Sequence, residues 1–153
     1  MSQNNPDPIF KSENFHHIGV IVKDMDKTIA CLEAIGIGPF GLMGDRKWVD
    51  IPFKGELHGK PAEWKVKIST TRVGGTEIEL LQPSGGESAL QEFLDEHGEG
   101  VHHIAYLSDD VRGEMDKMLA QGAELLTCAN LDARGFAYFK TGEGGVLIEI
   151  RHR

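Results

Sequence analysis

The sequence predicts an α+β fold built from two tandem βαβββ modules, on three observations. The chain repeats itself, each repeat opens on an alternating apolar run followed by a helical stripe, and each then reads as strand to its end. The repeat emerges when "NFHHIGVIVKD" (14–24) is laid on "GVHHIAYLSDD" (100–110) with His17 over His103, an offset of 86 positions.

Residues 1–13 are polar and proline-containing and predict a flexible arm. Module 1 occupies 14–83. Its alternating His17–Val22 run predicts a strand, Asp24 caps the next helix, and Met25, Ile29 and Leu32 form a stripe at i, i+4, i+7 before Gly36 stops it. Further strands are expected near 39–44, 64–71 and 76–81, with "RVGG" as the last turn. The stretch 44–61, rich in Gly, Lys and Asp, predicts a loop over one mouth of the fold. Residues 84–99 predict a linker helix capped by Ser88. Module 2 occupies 100–153: the strand from His103, the cap Asp110, the stripe Val111, Met115 and Met118, the stop Gly122, then strands near 124–128, 135–140 and 146–150.

A chain of 153 residues, 40% apolar, can bury one core and is short for two domains. Its formal charge of −8 and the lack of a dense Lys/Arg cluster argue against nucleic acid and anionic membranes as partners. Without an apolar stretch of roughly 20 residues, a soluble, cytoplasmic protein is expected. Cys31 and Cys128 sit within apolar patterns and lack CxxC spacing, which predicts two buried free thiols.

The chemistry resides in four positions related by the repeat. Glu79, in "TEIELLQP", and Glu149, in "GVLIEIRH", are carboxylates inside apolar strands, where an unpaired charge costs several kcal/mol. His17 and His103 open apolar strands and share a face with the small residues Gly19 and Ala105. One divalent cation (Zn, Co, Mn, Ni or Fe) held by His17, Glu79, His103 and Glu149 accounts for all four. The neighbours His16 and His102 face the other way and are the alternative pair of ligands.

The segments "HHIGVIVKDMDKTI", "TEIELLQP", "GEGVHHIAYLSDDV" and "GGVLIEI" occur in the order found in the vicinal oxygen chelate (glyoxalase/bleomycin resistance/dioxygenase) superfamily, and most resemble its methylmalonyl-CoA epimerases. The resemblance runs from Phe15 to Ile150. It implies an eight-stranded sheet curled around one metal, ligands His17, Glu79, His103 and Glu149, and α-proton removal next to a thioester carbonyl through an enolate. It further implies catalytic carboxylates at Glu149 and at Glu63, an acyl-CoA as the small-molecule substrate, and a homodimer. Two segments depart from that family: "LDARGFAYFKTGEGG" lacks its His-Gly-Lys turn, and 45–61 is longer than its connection. Trp48, Phe53 and Trp64 are therefore candidate lining for a different pocket, and Arg134 and Lys140 candidate anion contacts. Within the superfamily, a glyoxalase I-like reaction on a thiol adduct fits the same ligands, and an antibiotic-binding protein would dispense with them.

Overall fold

The structure is a computed structural model that describes residues 7–42, 44–143 and 145–153. Among the described residues eight strands close into one barrel, in the order Phe15–Ile21, Thr76–Gly86, Lys60–Val73, Val49–Leu57, Glu124–Ala129, Phe136–Thr141, Val146–His152 and Gly100–Ser108. Module 1 contributes β1 (Phe15–Ile21), α1 (Met25–Ala34), β2 (Val49–Leu57), β3 (Lys60–Val73) and β4 (Thr76–Gly86). Helix α2 (Ala89–His97) follows, and module 2 contributes β5 (Gly100–Ser108), α3 (Val111–Ala120), β6 (Glu124–Ala129), β7 (Phe136–Thr141) and β8 (Val146–His152). The caps fall where the sequence puts them: Asp24 accepts from the Lys27 amide, Ser88 from Gln91 and Asp110 from Gly113. Gly36 and Gly122 end α1 and α3 with positive φ.

Each module packs its helix on the outside of its own sheet. Met25 and Ile29 of α1 meet Val22, Phe40 and Leu80, while Val111, Met115 and Met118 of α3 meet Cys128, Phe139 and Ile150. The inward faces of both modules form a third cluster around Ile21, Trp64, Leu81 and Tyr138, to which α2 adds Ala89 and Leu90. Burying these faces on both sides of the sheet is the main stabilising term, at about 25 cal/mol per Å² of apolar surface.

Four expectations need correction. The stretch 44–61 is not a loop over a mouth, because 49–57 is strand β2 with strict alternation, Ile51 and Phe53 inward, Asp50 and Lys54 outward. Conversely, the described residues of 39–44 form no strand beyond a single bridge from Gly41 to Thr70, since glycines of positive φ at Gly38 and Gly44 bound them too closely. Cys31 is exposed, being off the Met25/Ile29 stripe, whereas Cys128 is buried as expected. The arm is partly tied down: Ile9 and Phe10 pack on the module 2 core, and Phe10 stacks on Tyr106 at 4.4 Å. The rest of that prediction, 1–6, lies outside the described residues.

Candidate metal centre

Strand pairing brings the four sequence-selected residues together. β1 and β5 run antiparallel with His17 opposite Ala105 and Gly19 opposite His103, so each module's histidine faces the other's small residue. Parallel pairing sets Gly19 beside Glu79 and Ala105 beside Glu149. Gly19 has no alternative: a Cβ there would run into the imidazole ring of His103. All four side chains are buried, His17 fully and Glu79 the least so at 7% exposed.

His17 Nε2 and His103 Nε2 stand 3.2 Å apart. Glu149 Oε2 lies 3.2 Å from the first and 3.0 Å from the second, and Glu79 Oε2 lies 3.6 Å from His17 Nε2. Despite these distances Glu149 Oε2 has no hydrogen-bond partner, so the donor atoms are near one another without being aimed at one another. A cation about 2.0–2.1 Å from two nitrogens in a tetrahedral site holds them roughly 3.3 Å apart, which the observed spacing fits. The fit rests on His17, His103 and Glu149, whose donor atoms cluster, while Glu79 lies outside that cluster, 3.6 Å from His17. His16, His17 and Glu77 form another group of the same type, but on the outer face, with His16 partly exposed.

His16 and His102 do not converge on the centre; they contact its ligands from behind. His16 Nδ1 lies 2.7 Å from His17 Nδ1, and His102 Nδ1 lies 2.8 Å from His103 Nδ1. When Nε2 of a ligand histidine binds a cation, its Nδ1–H donates to the neighbour, whose proton then sits on Nε2. Burial, reinforced by His103, pushes the His102 pKa down to about 3, so His102 stays neutral and able to accept. Burial also raises the Glu79 carboxyl. For Glu149 burial acts the same way but is outweighed by His103 and His17, which hold it well below the usual range.

A cavity of about 440 Å³ ends at Glu79 and Glu149. Ile51, Phe53 and Trp64 from module 1 and Phe136 and Tyr138 from module 2 form its wall, with Ala89 and Leu90 of α2 at its border. Phe53 packs on Trp64 at 5.9 Å and edge-on to Phe136 at 5.3 Å. Two of the candidate pocket aromatics are thus placed in the cavity. Trp48 instead anchors its segment, donating to Asp26 at 2.7 Å under the Lys67 ammonium. Arg134 borders the cavity, while Lys140 borders a separate hollow beside α2.

Glu63 does not reach the cavity. β3 alternates, so Trp64 and Val66 point inward and Glu63 outward, exposed and 3.7 Å from Lys54. The resemblance made Glu63 a catalytic carboxylate, but the phase of its strand turns it away from the cavity. The residue that sequence reasoning missed is Arg151, which borders the cavity with Nη1 3.8 Å from Glu79. Its signal was available: position i+2 from Glu149 on a strand shares its face.

Residues 16–139 match the Glyoxalase/Bleomycin resistance protein/Dioxygenase superfamily. The chain is 26% identical over 125 residues to an uncharacterised protein of Bacillus subtilis, covering 78% of this chain and 89% of that one. It is 26% identical over 149 residues to the mitochondrial methylmalonyl-CoA epimerase of Mus musculus, covering 94% and 75%. Its fold resembles that of a Streptomyces coelicolor methylmalonyl-CoA epimerase in complex with 2-nitronate-propionyl-CoA, with TM-score 0.55, 19% identity, and 91% and 96% of the two chains covered. No helix among the described residues is long and apolar enough to cross a membrane.

Proposed function

This chain belongs to the glyoxalase/bleomycin resistance protein/dioxygenase superfamily, and from that premise we propose that it is a metal-dependent isomerase of the epimerase type, acting on an acyl-CoA by removal of the proton α to the thioester carbonyl. The observation that carries this reading is the convergence of two imidazole nitrogens on an unpartnered oxygen of Glu149, a residue that borders an apolar cavity. His17, His103, Glu149 and Glu79 would hold one divalent ion, which supplies Lewis acidity at the substrate's carbonyl oxygen.

The chain's own residues supply the rest. Glu149 is the candidate base, and its carboxylate borders the cavity. Inversion needs a second group, and with Glu63 on the outside Glu79 is the other carboxylate among the described lining residues. Tyr138, its hydroxyl pKa raised well above the ordinary value by burial, remains a proton-bearing group in the wall. Phe53, Trp64 and Phe136 keep water from the reacting carbon.

The test starts with metal content by elemental analysis on untagged protein beside His103→Ala. About one divalent ion per chain, lost in the variant, is the expected result. Deuterium exchange at the α-carbon of methylmalonyl-CoA then follows, slowed about 10²–10⁴-fold by Glu149→Gln. Absence of metal after incubation with cobalt or manganese would remove the enolate reading and favour a small-molecule binding protein.

A further inference from the structure

Arg151 has no role in proton transfer, yet the fold places it in the cavity. It follows Glu149 by two positions on β8, and its side chain, 39% exposed, reaches within 3.8 Å of Glu79. Among the described residues its guanidinium makes no side-chain hydrogen bond beyond the 3.8 Å approach to Glu79, and Arg151 borders the cavity, so donors of its planar fork remain for a ligand there. Arg134, just before β7, borders the same cavity.

The charge balance tells what such a cavity accepts. A divalent ion held by Glu79 and Glu149 would be neutralised by them, which would leave Arg134 and Arg151 as surplus positive charge among apolar walls. The chain as a whole carries −8, so this is a local inversion of its field. Arginine cannot shed its charge, and its fork matches a carboxylate in two parallel hydrogen bonds. The walls, in turn, are aromatic and branched and enclose about 440 Å³, which leaves room for a substituent the size of a ring.

Resting on the function proposed above, we propose that Arg151 is a specificity-determining residue that binds a free carboxylate of the substrate, and that the substrate is an acyl compound bearing both that carboxylate and a bulky apolar substituent. Arg134 contributes long-range attraction at the rim. The substituent lies against Phe53, Trp64 and Phe136.

Two probes of one shape decide this by calorimetry on the cobalt-loaded chain: benzylmalonate, a dianion, and benzylmalonamide, which is neutral. Arg151→Gln should weaken benzylmalonate about 10- to 100-fold and leave the diamide within about twofold, and Arg151→Lys should recover part of the loss. Methylmalonate should bind more weakly than benzylmalonate to the unaltered chain. Equal affinity of Arg151→Gln and the unaltered chain for benzylmalonate would overturn the proposal. So would equal loss of both probes, which would mark Arg151 as a structural partner of Glu79. Visible absorption of bound cobalt, read in the same samples, keeps the two proposals separate. If no cobalt binds, the isomerase reading fails, and the surplus positive charge that this proposal needs is lost with it; the missing cobalt absorption tells that outcome apart from failure of the arginine alone, which is read with cobalt bound.

Discussion

Two glycine-sized decisions allow the histidines to meet. Where β1 and β5 pair, Gly19 lies under His103 and Ala105 under His17, so the modules exchange space across their shared edge. Gly19→Ala puts a methyl group into the His103 ring, and the ring must swing off its position. We expect at least about a tenfold loss of cobalt affinity, in the range that misplaced supporting groups produce, with the fold kept by circular dichroism; unchanged affinity would show that the ring has room to spare. His102 acts one step further out. Its Nε2 is buried without a partner, a cost of about 1–3 kcal/mol, offset if its Nδ1 fixes the tautomer of His103. His102→Ala should therefore weaken cobalt binding about 10- to 100-fold, and equal binding would reduce His102 to packing. The sequence made His17 and His103 legible because four positions recur in one frame. Arg151 escaped notice because it has no counterpart in the other module: "ELLQP" carries Leu81 where "EIRH" carries Arg151.

At the scale of elements, the helices were the readable part and the first-module strands the difficult one. Each helix announces itself by a cap, a stripe and a glycine stop, three local signals within about a dozen residues. β2 was hidden because its outward positions are Asp50, Pro52, Lys54 and Glu56, whose composition suits a loop, while its inward positions alternate correctly as Val49, Ile51, Phe53, Gly55 and Leu57. Pro52 is tolerated because β6 covers only Gly55–Leu57 of this strand. That short pairing closes the barrel, and it depends on Gly55, where a Cβ would strike the Cys128 carbonyl and Ala129. Gly55→Ala should cost about 1–3 kcal/mol in denaturant unfolding and speed amide exchange in β2 and β6. Protection equal to the unaltered chain would mean that the β2–β6 seam does not limit barrel opening. Glu63 shows a second limit: the strand that follows from Trp64 was readable, but its phase requires the partner strand.

For the whole molecule, protons and the metal compete for one set of atoms. In the metal-free chain burial lowers the pKa of His17, but Glu149 and Glu79 outweigh it and raise it above 6.5. The stability this contributes is present below 6.5 and fades as pH rises through the raised value. His102 works in the opposite direction: the unfolded chain takes up a proton below 6.5, whereas the folded one resists until about 3. Over that window the folded state loses up to about 1.4 kcal/mol per pH unit from His102 alone. The metal-free protein is thus expected to become acid-labile between pH 6.5 and 3, and replacing His102 by a residue that does not titrate should flatten that slope. Adding a divalent ion reverses the role of His17, because Nε2 must give up its proton before it can bind. Cobalt titrated calorimetrically in two buffers of different ionisation enthalpy should show net proton release, with affinity falling as pH drops through the His17 pKa. The rise in Tm at fixed cobalt should shrink along the same curve, since a ligand stabilises by its concentration relative to Kd. Cobalt binding without proton release near neutral pH would mean that His17 enters the centre already neutral, and its 3.2 Å approach to Glu149 would then be a contact between unprotonated imidazole and carboxylate rather than a stored proton.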